Sequence, residues 1–256
     1  MGEKSNRSIL LLLLSFTVVS CNKPDENEAD CIPVNLQNGI IAFYPFNSGS
    51  LNDLSGNNYH LANPTTATPG ADRAGNSNCA FSFLRAKGDF LTYANPDFLN
   101  NFQTLPFSIS VWYKPVGLKP SFEVLVGRDV GNHCPDTHGQ WSVALFDNRR
   151  AVFGINERSL WDDYTAGANT LNDLSNIWQH LVVTCNAIDL KLYRNEVLTT
   201  NTSGLGCNPP SPPTLNMGDL FLGKNFDGLL DDVIIYNRIL TGAEISELYH
   251  LPPCCQ

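Results

Sequence analysis

Two aspartates stand side by side at the head of an apolar run in "GLLDDVIIY", residues 228–236. Adjacent acids beside hydrophobic residues suit three chemistries: a catalytic carboxyl pair, ligands for a hard cation, or a polar rim on a strand. The short apolar run predicts a strand, and strand side chains alternate between faces. Asp231 and Asp232 are therefore expected to diverge. A divergent pair cannot flank one glycosidic bond, because glycosidases need two carboxyls about 5 Å or more apart on a common substrate. On that alternation Asp231 shares a face with Leu229, Val233 and Ile235, where an unpaired carboxylate is costly. It is expected to be hydrogen-bonded or bound to a cation, and Asp232 to be solvated.

Two other stretches carry chemistry-bearing residues. In "SLWDDYTAG" (159–167), Trp161 and Tyr164 flank Asp162 and Asp163 within an expected loop. Aromatic rings stack on the C–H faces of sugars while acids accept hydroxyl protons, the mixed lining of a small-ligand site; the plainer alternative is that Trp161 anchors the loop. In "NHCPDTH" (132–138), His133, Cys134, Asp136 and His138 crowd together. They fall short of a confirmed transition-metal set, and a disulfide at Cys134 beside solvated histidines is the favoured reading. Neither a G-x-S-x-G elbow nor a phosphate-binding loop occurs.

These residues need a scaffold, and the sequence offers strands. "IIAFYPF" (40–46), "CAFSFL" (79–84), "FSISVWY" (107–113), "FEVLVG" (122–127), "WSVALF" (141–146), "AVFGI" (151–155), "HLVVTC" (180–185), "DLKLY" (189–193) and "DLFLG" (219–223) are short, β-branched or aromatic, and separated by Gly, Pro, Asn and Asp. In 107–113 Phe107, Ile109, Val111 and Tyr113 face one way, and Ser108, Ser110 and Trp112 the other. Many short strands at this spacing predict an all-β antiparallel sandwich or jelly roll. "NPPSPP" (208–213) reads as a rigid surface loop. One helix is expected near the end: Thr241-Gly242-Ala243-Glu244 is a capping box, and Ile245, Leu248 and Tyr249 then share one face.

The chain has 256 residues, with 16 basic and 25 acidic. Lys4 and Arg7 precede an apolar core from Ile9 to Val19, about half of a bilayer span. Residues 1–20 are therefore expected to be a cleaved signal peptide. Val18-Val19-Ser20-Cys21 resembles the bacterial lipobox, which implies a diacylglyceryl anchor on Cys21 and a lipidated tether over 21–35, ahead of a domain over 36–256. Lys23-Pro24-Asp25-Glu26 resembles the acidic export signal of some Gram-negative surface lipoproteins. By that resemblance the expected location is the outer membrane, facing outward; by composition alone the run is a solvated tether. Removal of the signal leaves 14 basic and 24 acidic residues, a net charge of about −10. With no Lys/Arg cluster, a nucleic-acid partner is disfavoured. Besides Cys21 there are Cys31, Cys79, Cys134, Cys185, Cys207, Cys254 and Cys255, an odd number in an exported chain where disulfides are permitted. No CxxC occurs. A bridge from Cys31 to Cys254 or Cys255 would tie the ends of a closed sandwich.

"GIIAFYPFNSGSLNDLSGNNYHL" (39–61), "DRAGNSNCAFSF" (72–83), "WQHLVVTCNAIDLKLYRNEVL" (178–198) and "FDGLLDDVIIYNRILTGAEISELY" (226–249) are similar, in order, to the laminin G-like, concanavalin A-like lectin/glucanase domain. The resemblance implies a jelly roll of two antiparallel sheets with first and last strands adjacent. It also implies binding of a glycan or a surface protein, often with structural calcium. The superfamily's glucanases carry Glu-x-Asp-x-(x)-Glu along one strand; this chain has no such run in its strands, so no catalytic residues are assigned. Asp231 matches the family's more persistent acid. Calcium takes hard oxygen ligands, and the loop 47–57 offers Asn47, Asn52 and Asp53, so Asn47, Asp53 and Asp231 form the expected calcium set. The alternative is hydrogen bonding of loop backbone. Two departures are visible: Leu84 to Asp89 rebuilds one loop, and Tyr193-Arg194-Asn195-Glu196 stands where the family has a "YxNG" hairpin. The expected function is non-enzymatic binding, with a glycosidase or lyase of the same fold, or an adhesive module, as alternatives.

Overall fold

The computed structural model describes residues 1–2, 31–102, 104–117, 122–128, 141–146, 150–155, 158–161, 175–186, 189–199 and 218–255. The strands are β1 (Ile40–Tyr44), β2 (Thr68–Gly70), β3 (Ala80–Phe83), β4 (Leu91–Tyr93), β5 (Phe107–Pro115), β6 (Glu123–Arg128), β7 (Trp141–Phe146), β8 (Arg150–Ile155), β9 (Arg158–Trp161), β10 (Gln179–Cys185), β11 (Leu190–Arg194), β12 (Val197–Leu198), β13 (Leu220–Leu222) and β14 (Gly228–Tyr236). Among the described residues two α-helices flank them, α1 (Val34–Gln37) and α2 (Gly242–His250). One sheet has eight strands in the order β12-β11-β10-β5-β14-β3-β2, with β1 also on β14; the other has six, in the order β4-β13-β6-β7-β8-β9. Every pairing is antiparallel. First and last strands are neighbours, as the resemblance implied.

Alternation builds the core between the sheets. Phe107, Ile109, Val111 and Tyr113 of β5, Leu181, Val183 and Cys185 of β10, and Trp141, Val143 and Leu145 of β7 all face inward and are buried. The other face of the eight-stranded sheet is also covered. Phe43, Val182, Ile234 and Tyr236 pack there against Leu36 of α1, Ile245 and Leu248 of α2, and Cys254. Thr241 Oγ1 accepts the Glu244 N–H, and Glu244 Oε2 accepts the Thr241 N–H, so the capping box forms as expected. Burying side chains such as Ile245 and Leu248 contributes roughly 1.5–3 kcal/mol each, which holds a nine-residue helix that would not persist alone.

Both departures from the family pattern have local solutions. Residues 85–87 form a 3₁₀ turn, and buried Asp89 closes the loop by accepting from Thr66 N, Thr66 Oγ1 and Leu84 N. In the β11–β12 hairpin Asn195 (φ +48°) and Glu196 (φ +64°) both occupy the left-handed region, as a two-residue type I′ turn requires.

Two disulfides fasten the C-terminal strap, Cys31–Cys254 and Cys79–Cys255. The expected tie between the ends is therefore present through Cys254. Cys185 lies buried at the end of β10; Cys21, Cys134 and Cys207 lie outside the described residues.

Candidate functional site

The expected divergence of Asp231 and Asp232 is wrong, and a β-bulge is the reason. Along β14, Asp231 pairs with Trp112 and Ile234 with Ser110 of β5, so one extra residue is inserted between them. Asp232 takes up the insertion with φ +40°, a left-handed conformation that aspartate tolerates better than most side chains. The bulge falls where β14 exchanges one neighbour for another: Gly228 to Leu230 pair with β3, and Val233 to Tyr236 with β1. Its effect is to send both carboxylates to the outer side. Asp231 accordingly does not share the inward face of Val233 and Ile235, and Asp232 is buried, not solvated.

Both acids meet Arg73. Its Nη1 donates to Asp231 Oδ2 at 2.9 Å and to Asp232 Oδ2 at 2.6 Å, while Nη2 donates to the Leu251 carbonyl at 3.2 Å. The turn presenting Arg73 is set by Asp72, whose Oδ1 accepts from Ala74 N and Asn76 N and whose Oδ2 accepts from Asn76 Nδ2. The guanidinium lies 4.5 Å from the Trp112 ring centroid, a cation–π contact. Trp112 also packs against His180 and Tyr249, with centroids at 4.9 and 5.6 Å and those two rings 6.0 Å from each other, and His180 Nε2 shares a 2.7 Å hydrogen bond with Ser110 Oγ.

The electrostatics follow from one cation facing two anions out of water. Burial, then the Asp232 charge, push the Asp231 carboxyl well above its ordinary range, with Arg73 opposing. Asp232 is also raised by burial, against the pull of Arg73. Burial, then Arg73, lower His180 to about 3, so its ring is neutral. The cavity beside Arg73, Trp112, His180 and Asp232 is about 10 Å³, room for about one water. No sugar enters there. The paired acids form a clasp between the Arg73 turn, β14 and the C-terminal strap.

Two of the three residues expected to hold calcium have other partners. Asp53 Oδ1 accepts from Phe43 N and Ser55 N, and Oδ2 from Ser55 Oγ and Tyr59 N. Its lone pairs serve loop backbone, the alternative the sequence left open. Asp231 is committed to Arg73. Asn47 sits in a separate shallow pocket with Ser50 and Asn52, its Oδ1 without a partner. Among the described residues no group of three or more His, Cys, Asp and Glu side chains is arranged to hold a metal.

Trp161 was expected in a loop; its backbone instead ends β9, the edge strand of the six-stranded sheet, paired with Val152. Asp162, Asp163 and Tyr164 lie outside the described residues, as do His133, Asp136 and His138. The register defines the outward rows of that sheet: Val124, Ala144 and Val152 in one, Gly127, Ser142 and Gly154 in the next. None of these six is acidic, and all six are buried. Glu123 lies in the row of Leu145, fully buried, its Oε1 accepting the Asp227 N–H. Sequence reasoning missed Arg73 as the partner of the aspartates; its only signal was the Asp72…Asn76 turn pattern around a basic residue.

The chain is similar to the binding domain of Paraclostridial Mosquitocidal Protein 1 (TM-score 0.61, 21% identity, 84% of this chain and 52% of that one). It is also similar to the botulinum neurotoxin serotype D binding domain (TM-score 0.62, 18% identity, 84% and 52%). A third likeness is to the binding domain of botulinum neurotoxin DC in complex with rat synaptotagmin II (TM-score 0.62, 15% identity, 84% and 52%). The chain spans about half the length of these structures, and at such identities the likeness is one of fold. No curated protein matches it significantly. Residues 87–246, more than half of the chain, match the family model described as concanavalin A-like lectin/glucanases superfamily. Two antiparallel sheets, adjacent first and last strands and that match together make this chain a member of the concanavalin A-like lectin/glucanases superfamily.

Proposed function

We propose that the domain is a non-enzymatic recognition module for glycans, held at the outer membrane by lipid on Cys21. The observation that carries this is the fate of the acids. Asp231 and Asp232 close on Arg73, Asp53 on loop amides, and the outward rows of β6 to β8 hold no carboxylate. A glycosidase needs two carboxyls facing one bond, and these described rows, themselves buried, supply none. Recognition by loops on a rigid scaffold asks for no such pair. The three similar structures are all binding domains, which supports this reading.

The tether joins the domain at Cys31, which bridges to the strap on the outer face of the eight-stranded sheet. The six-stranded sheet is then turned away from the membrane. The Trp161–Tyr164 run, which begins with the last residue of β9, serves the ligand. A protein ligand is the second reading, supported by the similar neurotoxin domain in complex with rat synaptotagmin II.

Incubation of the purified domain with a polysaccharide panel, with and without a calcium chelator, tests the proposal. Retention without new reducing ends is the expected result. Release of reducing ends makes the protein a glycosidase, and the absence of both favours the protein-contact reading.

A further inference from the structure

Three aromatic rings that the core does not fully enclose meet on the surface. Tyr59 stacks on Phe98 with centroids 3.9 Å apart and planes 11° from parallel, and Tyr93 stands edge-on to both, at 5.8 and 5.3 Å. All three are half-buried. Tyr93 and Phe98 rest on the core, whereas Tyr59 belongs to no core cluster. Neither phenol hydroxyl makes a hydrogen bond among the described residues, in contrast to buried Tyr44, whose hydroxyl donates to the Tyr59 carbonyl at 2.7 Å.

Each ring is carried on backbone that cannot drift. The Tyr59 N–H is held by Asp53 Oδ2 at 3.0 Å, and its carbonyl by Tyr44. Tyr93 ends β4, in register with Leu220. Phe98 sits in the 3₁₀ turn Asp97–Leu99, which is anchored by buried Leu99 and preceded by an Asn95 N–H to Asp219 Oδ1 bond. A rigid aromatic surface with two unengaged hydroxyls is costly to expose unless something covers it, and it loses little entropy when covered.

We propose that Tyr59, Tyr93 and Phe98 form a platform for a neutral hexopyranose chain. This rests on the glycan-binding reading above and gives that function a second contact area, apart from Trp161. The apolar face of a pyranose ring matches the aromatic faces, and its hydroxyls match the two phenols and the exposed side chains of His60 and Asp97 adjacent in sequence. Asp97 and the net charge of about −10 on the mature chain select against polyanionic glycans.

The test uses soluble neutral glucans and galactans, with heparin as the polyanionic control. On the wild-type protein, a bound glucan or galactan is expected to shield Tyr59 and Tyr93 from tetranitromethane nitration, read by mass spectrometry, while heparin does not. Tyr59→Ala is expected to weaken binding about tenfold or more, and Tyr59→Phe and Tyr93→Phe a few-fold each. Undiminished binding by Tyr59→Ala and Tyr93→Ala overturns the platform and leaves the glycan function standing. If the alanine variants misfold, unchanged nitration of the wild type with ligand bound overturns it equally. Absence of any glycan binding by the wild type overturns both.

Discussion

At the scale of single residues, one inserted amino acid decides what the Asp231–Asp232 pair is for. Had β14 kept its alternation, one carboxylate would point into the core. The bulge turns both toward Arg73, and the guanidinium becomes the group whose loss matters most. Arg73→Met is expected to destabilise the domain by about 3–5 kcal/mol, because it strands two buried carboxylates, whereas Asp231→Asn should cost much less, since two anions face one cation. Urea denaturation of the two variants distinguishes these outcomes. Equal losses would mean that the acids are not buried together.

The neighbouring ring gives a pH signature. His180 titrates near 3 in the folded protein, against an ordinary value of 6.5. The unfolded chain therefore takes up this proton first as pH falls. Stability from His180 is complete above about 6.5 and is lost as pH drops toward 3, at up to about 1.4 kcal/mol per pH unit. Asp231 acts with the opposite sign, because its raised carboxyl keeps a proton that the unfolded chain releases near 3.8; its contribution is full below that value and fades as pH rises through the raised one. Chemical denaturation from pH 7 to 4 is expected to show a shallower acid loss in His180→Gln than in the wild type. Parallel curves would contradict a buried neutral ring.

At the scale of elements, most strands were legible because period-two alternation extends over five or more residues, as in β5 and β10. The short strands β2, β4, β9 and β12 were not; β3 and β13 are as short but were marked by the apolar runs "CAFSFL" and "DLFLG". The β11–β12 hairpin shows how context sets a turn. Glutamate at φ +64° is strained by roughly 1 kcal/mol relative to glycine, yet the Glu196 carboxylate accepts a hydrogen bond from Ser246 Oγ and lies 3.8 Å from His250 Nδ1, both on α2. The residue ties the hairpin to the helix. Glu196→Gly is thus expected to be near neutral, as relief of strain offsets the lost tie, while Glu196→Ala keeps the strain, loses the tie and destabilises by about 1 kcal/mol. Thermal melts of both variants check the difference.

At the scale of the whole molecule, adjacent Cys254 and Cys255 bridge to Cys31 and Cys79, so the strap is bound both to the entry of the domain and to the strand region beside β14. Removing either bridge by paired Cys→Ser changes is expected to cost about 2–5 kcal/mol, and removing both less than the sum, since both hold one strap. Peptide mapping without reductant should return Cys31–Cys254 and Cys79–Cys255; the crossed pairing would refute the strap geometry.

The sequence by itself determined the sandwich class, the inward rows of the long strands, the capped closing helix and the tie from Cys31 to the C-terminus, because these depend on local alternation, capping chemistry and the order of segments. Only the tertiary structure decided the roles of the acids. Asp53 was committed to loop amides, and Arg73, 158 residues before Asp231, was brought against that second acid. The physical reason is that a bulge and a long-range ion pair leave no periodic trace: the insertion is a single residue, and the partner of a buried charge is chosen by where the sheet folds, not by its place in the chain.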